Sequence, residues 1–118
     1  MKKKSDLVKA VFDGYAKHDR ETVEGVLAES FRFTSPYSDA IDRQRYFEQC
    51  WPNNEDQRAI EIERIFEDGD GAFVTYNLLQ KTGEQVRNTE YFTFTDDQIS
   101  TIDVYFGAVH RAGRFVKT

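Results

Sequence analysis

Apolar residues recur along the first half of the chain with a helical period. Leu7, Val8, Val11, Phe12 and Tyr15 stand three and four residues apart, which predicts an amphipathic helix over 5–17 with Ser5 as its N-cap. Asp19 opens a second helix that carries Thr22, Val23, Val26 and Leu27 along one side. Phe31-Arg32-Phe33-Thr34 alternates apolar and polar residues and reads as a short strand, stopped at Ser35-Pro36 and followed by a loop, Tyr37 to Ala40. A third helix, roughly 42–51, presents Tyr46, Phe47, Cys50 and Trp51, and Pro52 ends it.

From Ala59 the period changes to two. Ile60, Ile62 and the pair Ile65-Phe66 mark one strand, ending at the turn Glu67 to Gly71. Phe73 to Leu79 marks the next, ending at Lys81-Thr82-Gly83-Glu84. The segment Arg87 to Gly107 is a hairpin whose two β-rich runs meet at Asp96-Asp97. Symmetric pairing, with Phe94 facing Ile99, sets Glu90 opposite Asp103. Like charges directly opposed on a sheet repel, so the two acids either line a cavity or sit on a wet face. Helices first and long antiparallel strands afterwards predict an α+β domain whose helices cover one face of a curved sheet.

Composition narrows the functional classes. At 118 residues the chain is one domain, 1–118. A net charge of −5 with scattered lysines and arginines excludes the electrostatic footprint of a nucleic-acid binder. Apolar runs fall short of the ~20 residues that cross a bilayer, and Asp6, Lys9 and Asp13 interrupt any signal-peptide core after Lys2-Lys3-Lys4. The single cysteine, Cys50, excludes an internal disulfide and suits a reducing cytoplasm. His18 and His110 lie far apart without partners at coordinating spacing, so no metal and no other cofactor is expected.

The order of elements resembles the cone-shaped NTF2-like superfamily, in its SnoaL-like and ketosteroid-isomerase-like branch. The residues that carry the likeness are Asp19, then Phe31 to Pro36, Tyr46-Phe47, Trp51, and Ile99 leading into Tyr105-Phe106-Gly107. The resemblance implies three helices closing one end of a curved, mostly antiparallel sheet around an apolar cavity. The isomerases work there with an aspartate base and an oxyanion hole of a tyrosine and a protonated acid. Laid over this chain without a gap, the base position is Ser35. The tyrosine position falls on Val11, with Tyr15 one turn later, and the protonated acid falls on Glu90. The related polyketide cyclases place an acid on the last strand and a polar partner on the strand before it, which points to Asp103 and Glu90. Alternation of Ile102, Val104 and Phe106 argues that Asp103 faces the other side; a β-bulge near Ser100-Thr101 would reconcile Ile99 with that apolar face, at the expense of symmetric pairing.

Two functions stay open on these residues. The first is a cofactor-free acid–base enzyme acting on a small carbonyl compound, with Glu90 and Asp103 catalytic and with Trp51, Tyr76, Arg87, Phe92, Phe106 and Asp39 as candidate ligand contacts. The second is a non-catalytic module that binds a small apolar or aromatic molecule, or a protein. Each candidate has a plainer role beside it. Glu90 is either a desolvated acid or a rim carboxylate held by Arg87, Asp39 either a displaced base or a turn cap, and Trp51 either a lid or core. A homodimer is expected through the uncovered sheet face, with Tyr91, Val86 and Tyr105 exposed there.

Overall fold

A computed structural model describes residues 3–51 and 57–116. Helix α1 spans Lys4–Ala16, α2 Arg20–Val26 and α3 Arg43–Gln49. The strands are β1 (Leu27–Ser35), β2 (Ser38–Asp42), β3 (Gln57–Asp68), β4 (Gly71–Gln80), β5 (Glu84–Thr95), β6 (Gln98–Tyr105), β7 (Val109–Arg111) and β8 (Arg114–Phe115). Pro52, the expected stop of the third helix, lies outside the described residues.

The strand order is β2-β1-β6-β5-β4-β3, with β7 pairing β5 and β8 pairing β7. Only β1 and β6 run parallel among these pairings. The helices lie against one face. Leu7, Val8, Val11 and Phe12 of α1, Val23 of α2 and Tyr46 and Phe47 of α3 are buried with Phe31, Val74, Phe92, Ile99 and Ile102 of the sheet. This is the expected α+β cone, with the core between the helices and the inner face of the sheet.

Local chemistry explains most helix boundaries. Asp19 caps α2 by accepting the Thr22 N–H at 3.2 Å, and Asp42 caps α3 by accepting the Arg45 N–H at 2.9 Å. Helix α1 is capped differently from the reading above. It starts at Lys4, and Ser5 lies in its first turn, where the Ser5 N–H donates to Glu67 Oε1 at 3.0 Å. A carboxylate from the end of β3 therefore satisfies one of the free N–H groups of the first turn, where a serine side chain was expected as the cap. Gly14 is required by packing, since a Cβ there would stand 2.5 Å from Val23 Cγ2.

The last hairpin departs from symmetry at one residue. Phe94 pairs with Ile99, but Thr93 pairs with Thr101, so Ser100 is an extra residue on β6. Its hydroxyl lies 2.8 Å from Thr93 Oγ1 on the shared sheet face. Beyond that bulge the register shifts by one: Glu90 pairs with Val104 and Tyr91 with Asp103. Directly opposed residues share a face, so Glu90 turns inward with the buried Val104 and Asp103 turns outward with Tyr91. Of the two registers left open by the sequence, the symmetric one that opposes Glu90 to Asp103 is excluded, and the one with a bulge near Ser100-Thr101 and Asp103 on the other face is present. The outer face carries rows of Phe66, Phe73, Tyr91 and Asp103, and of Arg64, Thr75, Thr89 and Tyr105. Val86, expected outside, instead lies inside with Asn88 and Glu90. Two further differences are the strand β2, where a loop was expected from Tyr37 to Ala40, and the terminal ribbon β7–β8.

Candidate functional site

Between the helices and the inner sheet face is a pocket of ≈ 670 Å³. Val11, Phe12 and Tyr15 from α1, Tyr46 and Gln49 from α3, and Cys50 just after α3 form one wall. Ile60, Tyr76, Leu78, Val86, Asn88, Glu90 and Val104 line the sheet side, while Ser35, Tyr37, Ser38, Phe106 and Gly107 line another part of its surface. Glu90 is the one charged side chain among these described lining residues.

Glu90 reaches the pocket because Glu90, Asn88 and Val86 alternate along β5 on the inward face. Across the sheet Tyr76 pairs with Asn88, one inward position along from the Val74–Glu90 pair. The Tyr76 hydroxyl donates to Glu90 Oε2. Asn88 Nδ2 donates to the Tyr76 oxygen at 3.3 Å, and Asn88 Oδ1 accepts the Gly107 N–H at 3.0 Å. Gly107 comes so near the neighbouring strand that a Cβ would lie 1.7 Å from the Arg87 carbonyl oxygen. Only glycine permits that approach.

Burial pushes the Glu90 carboxyl up to about 7, against the opposing pull of the Tyr76 hydroxyl. Glu90 is half-buried and lines the pocket. The Tyr15 and Tyr46 hydroxyls hydrogen-bond to each other, and both feel the Glu90 charge. Burial raises Tyr15, Tyr46 and Tyr76 far above the usual phenol range, so all three remain neutral donors near neutral pH. Burial also raises the Cys50 thiol, which keeps it protonated and unreactive. The pocket thus combines one acid able to take or give a proton at neutral pH with neutral hydroxyls able to meet a developing negative charge.

The profile of the SnoaL-like domain family matches residues 8–102. The chain belongs to the SnoaL-like family. Similar solved structures include an NTF2-like protein of unknown function from Cytophaga hutchinsonii, 20% identical over 90% of this chain and 94% of that one, with a TM-score of 0.72. Another is a Kribbella flavida protein provisionally named a ketosteroid isomerase, 22% identical over 90% and 78%, with a TM-score of 0.73. A third is a Jannaschia protein provisionally named a SnoaL-like polyketide cyclase, 16% identical over 86% and 83%, with a TM-score of 0.74. At these identities the likeness is one of fold. No curated protein matches the chain.

Within this SnoaL-like pocket the sequence candidates separate. Glu90, Tyr76 and Phe106 line it; Asp103, Arg87, Asp39, Phe92 and Trp51 do not. Asp103 is on the outer face because of the Ser100 bulge. Arg87 is also outside, where its guanidinium makes two bonds to Glu63, at 2.7 and 3.0 Å, so it does not neutralise Glu90. Asp39 is exposed near the tip of the β1–β2 hairpin, and its neighbour Ser38 faces the pocket instead. Phe92 is fully buried behind the wall, 6.3 Å from the Phe12 ring. Trp51 packs on Tyr15 and Phe47 at 4.9 and 6.0 Å, and so backs the pocket wall through Tyr15.

Two features of the pocket were not anticipated from the sequence: the hydrogen bond that joins Tyr15 to Tyr46, and Asn88. Tyr15 and Tyr46 carried a signal, since each is a tyrosine at a helical core position whose hydroxyl must find a partner when buried. Asn88 carried one too, as an amide at an inward strand position. Among the described residues no group of three His, Cys, Asp or Glu side chains is placed to hold a metal ion, and no helix is long and apolar enough to cross a membrane.

Proposed function

We propose that this protein is a cofactor-free acid–base enzyme of isomerase or cyclase type, acting on a small, partly apolar carbonyl compound. The observation that carries the reading is Glu90: an acid titrating near neutrality inside an apolar pocket, hydrogen-bonded to a neutral tyrosine and without a cation among the described lining residues. Its carboxylate takes a proton from the carbon beside the carbonyl. The C–H electron pair becomes the C=C bond of the enolate, and the carbonyl pair moves onto oxygen. The Tyr15–Tyr46 pair keeps one O–H uncommitted, because one hydroxyl donates to the other, and that remaining donor meets the enolate oxygen. Glu90 then returns the proton to carbon; or the enolate carbon attacks a second carbonyl and closes a ring, the pair of that C=O bond moves onto its oxygen, and protonated Glu90 gives that oxygen its proton.

Hydrogen–deuterium exchange at the α-carbons of small cyclic ketones and 1,3-dicarbonyls, followed by proton NMR in D₂O, tests this without a known substrate. The protein should accelerate exchange for some members of the panel, and Glu90→Gln should reduce that acceleration by about 10² to 10⁴-fold. A non-catalytic binding module is the second reading. Ser35 favours it, since the position that the isomerases give to a base holds a hydroxyl, here accepting the Tyr37 N–H at 3.2 Å. Ligands that bind, as seen by tyrosine and tryptophan fluorescence, with no exchange above background would decide for the module.

We also propose that two copies pair across the outer sheet face, where Phe66 is 67% and Phe73 40% exposed and Tyr105 is exposed on the same face. Light scattering at micromolar concentration should give the mass of two chains, and a monomer mass would contradict this.

A further inference from the structure

Asn88 is the one buried residue with an amide or charged side chain among the described residues. Its neighbours fix which way it points. A backbone N–H can only donate, so the amide atom that meets Gly107 N at 3.0 Å is Oδ1. The other amide atom is then Nδ2, which can only donate, and it meets the Tyr76 oxygen at 3.3 Å. With that oxygen engaged as an acceptor, the Tyr76 proton goes to Glu90 Oε2. Every bond runs in one direction, from the Gly107 amide through Asn88 and Tyr76 to Glu90. The chain is held at its far end by backbone, because the close approach of Gly107 to the Arg87 carbonyl leaves no room for a side chain that would move it.

We propose that Asn88 is a positioning residue: anchored by the Gly107 amide, it directs the Tyr76 hydroxyl proton onto Glu90 Oε2 and so leaves Oε1 as the oxygen that exchanges a proton with the ligand. The choice of Oε1 rests on the acid–base role of Glu90 proposed above; the aiming of Tyr76 does not. An asparagine suits this position because its two ends differ. One accepts from backbone while the other donates to the phenol, and neither adds charge beside Glu90. An aspartate in the same place would accept from both, turning the Tyr76 proton away from Glu90 and adding a second negative charge. The titratable groups facing Glu90 are Tyr76 from β4, Tyr15 from α1 and Tyr46 from α3, and all three stay neutral across the range in which Glu90 titrates. Burial is the larger influence on this acid, and the hydrogen bond donated by Tyr76 is the one that opposes it.

The test is a double-substitution cycle read on the Glu90 carboxyl carbon by ¹³C NMR titration, using Tyr76→Phe, Asn88→Leu and the pair. Tyr76→Phe removes the donor, so the Glu90 pKa should rise by about one to two pH units, the scale of one charge-assisted hydrogen bond. Asn88→Leu should raise it as well, because the Tyr76 proton is no longer directed at Glu90. The double variant should then match Tyr76→Phe alone, since Asn88 acts only through Tyr76. A Glu90 pKa unmoved by Asn88→Leu, or shifts that add in the double variant, would overturn the proposal. Asn88→Val, smaller and suited to a strand, gives the same comparison should the leucine variant fail to fold. Because the titration needs no substrate, its failure is distinct from a failure to find exchange catalysis. The second would remove the role of Oε1 and leave the aiming of Tyr76 standing.

Discussion

Glu90→Gln should stabilise this protein by an amount that grows with pH. In the fold the Glu90 carboxyl titrates at about 7, against 4.5 for the unperturbed group. Below pH 4.5 both the folded and the unfolded chain carry the proton, and the group does not discriminate between them. Between 4.5 and 7 the folded state holds its proton while the unfolded state gives it up, so stability falls as pH rises. Above 7 both are ionised and the loss is complete, at about 3 kcal/mol for a shift of this size. Glutamine does not titrate, and its amide oxygen can still accept the Tyr76 hydroxyl. The variant should therefore melt close to the native protein at pH 4 and roughly 10 °C above it at pH 8. Thermal unfolding followed by circular dichroism at half-unit pH steps supplies the difference curve, in which the other carboxylates cancel. A difference that does not vary with pH would mean that Glu90 keeps its ordinary titration in the fold. A glutamine variant that melts lower throughout would mean that Glu90 is a structural ion-pair partner.

The remaining predictions concern the frame around the site. Arg87→Ala breaks only the exposed pair with Glu63, so it should cost less than about 1 kcal/mol in urea unfolding and leave the Glu90 titration unmoved. Gly14→Ala pushes a methyl group into Val23 and should destabilise by about 1–3 kcal/mol. Asp96 and Asp97 both hold positive φ, 50° and 62°, in the tight turn of the last hairpin, so Asp97→Gly should raise stability by roughly 1 kcal/mol.

The fold was legible where one physical signal acted alone. The spacing of Leu7, Val8, Val11 and Phe12 could serve only a helix packed on one side, and Asp19 could cap only a helix starting beside it. Signals that depend on a distant partner were not legible. Ser5 looked like a cap until Glu67, brought in by β3, took the role. The five residues of β2 carry little apolar pattern because pairing with β1, not burial, makes them a strand. The site divides in the same way. Glu90 and Tyr76 stood out as polar groups among aromatic and apolar neighbours, and both line the pocket. The face of Asp103 could not be settled from the sequence, because the side-chain period of a strand is two and one inserted residue, here the Ser100 bulge, turns everything beyond it to the opposite face. Sequence alternation had argued for that outward face, and the turn symmetry had argued against it. The Tyr15–Tyr46 pair joins α1 to α3, a contact that neither helix's own pattern contains.

The poised state of Glu90 is tested most directly by its own titration in the native protein, by ¹³C NMR of its side-chain carboxyl with Glu90→Gln to assign the resonance. The inflection should lie at about 7, set by burial in the pocket and moderated by Tyr76. An inflection near 4.5, the value of a solvated glutamate, would contradict it, because Glu90 would then be fully ionised at neutral pH and no longer the poised acid of the site.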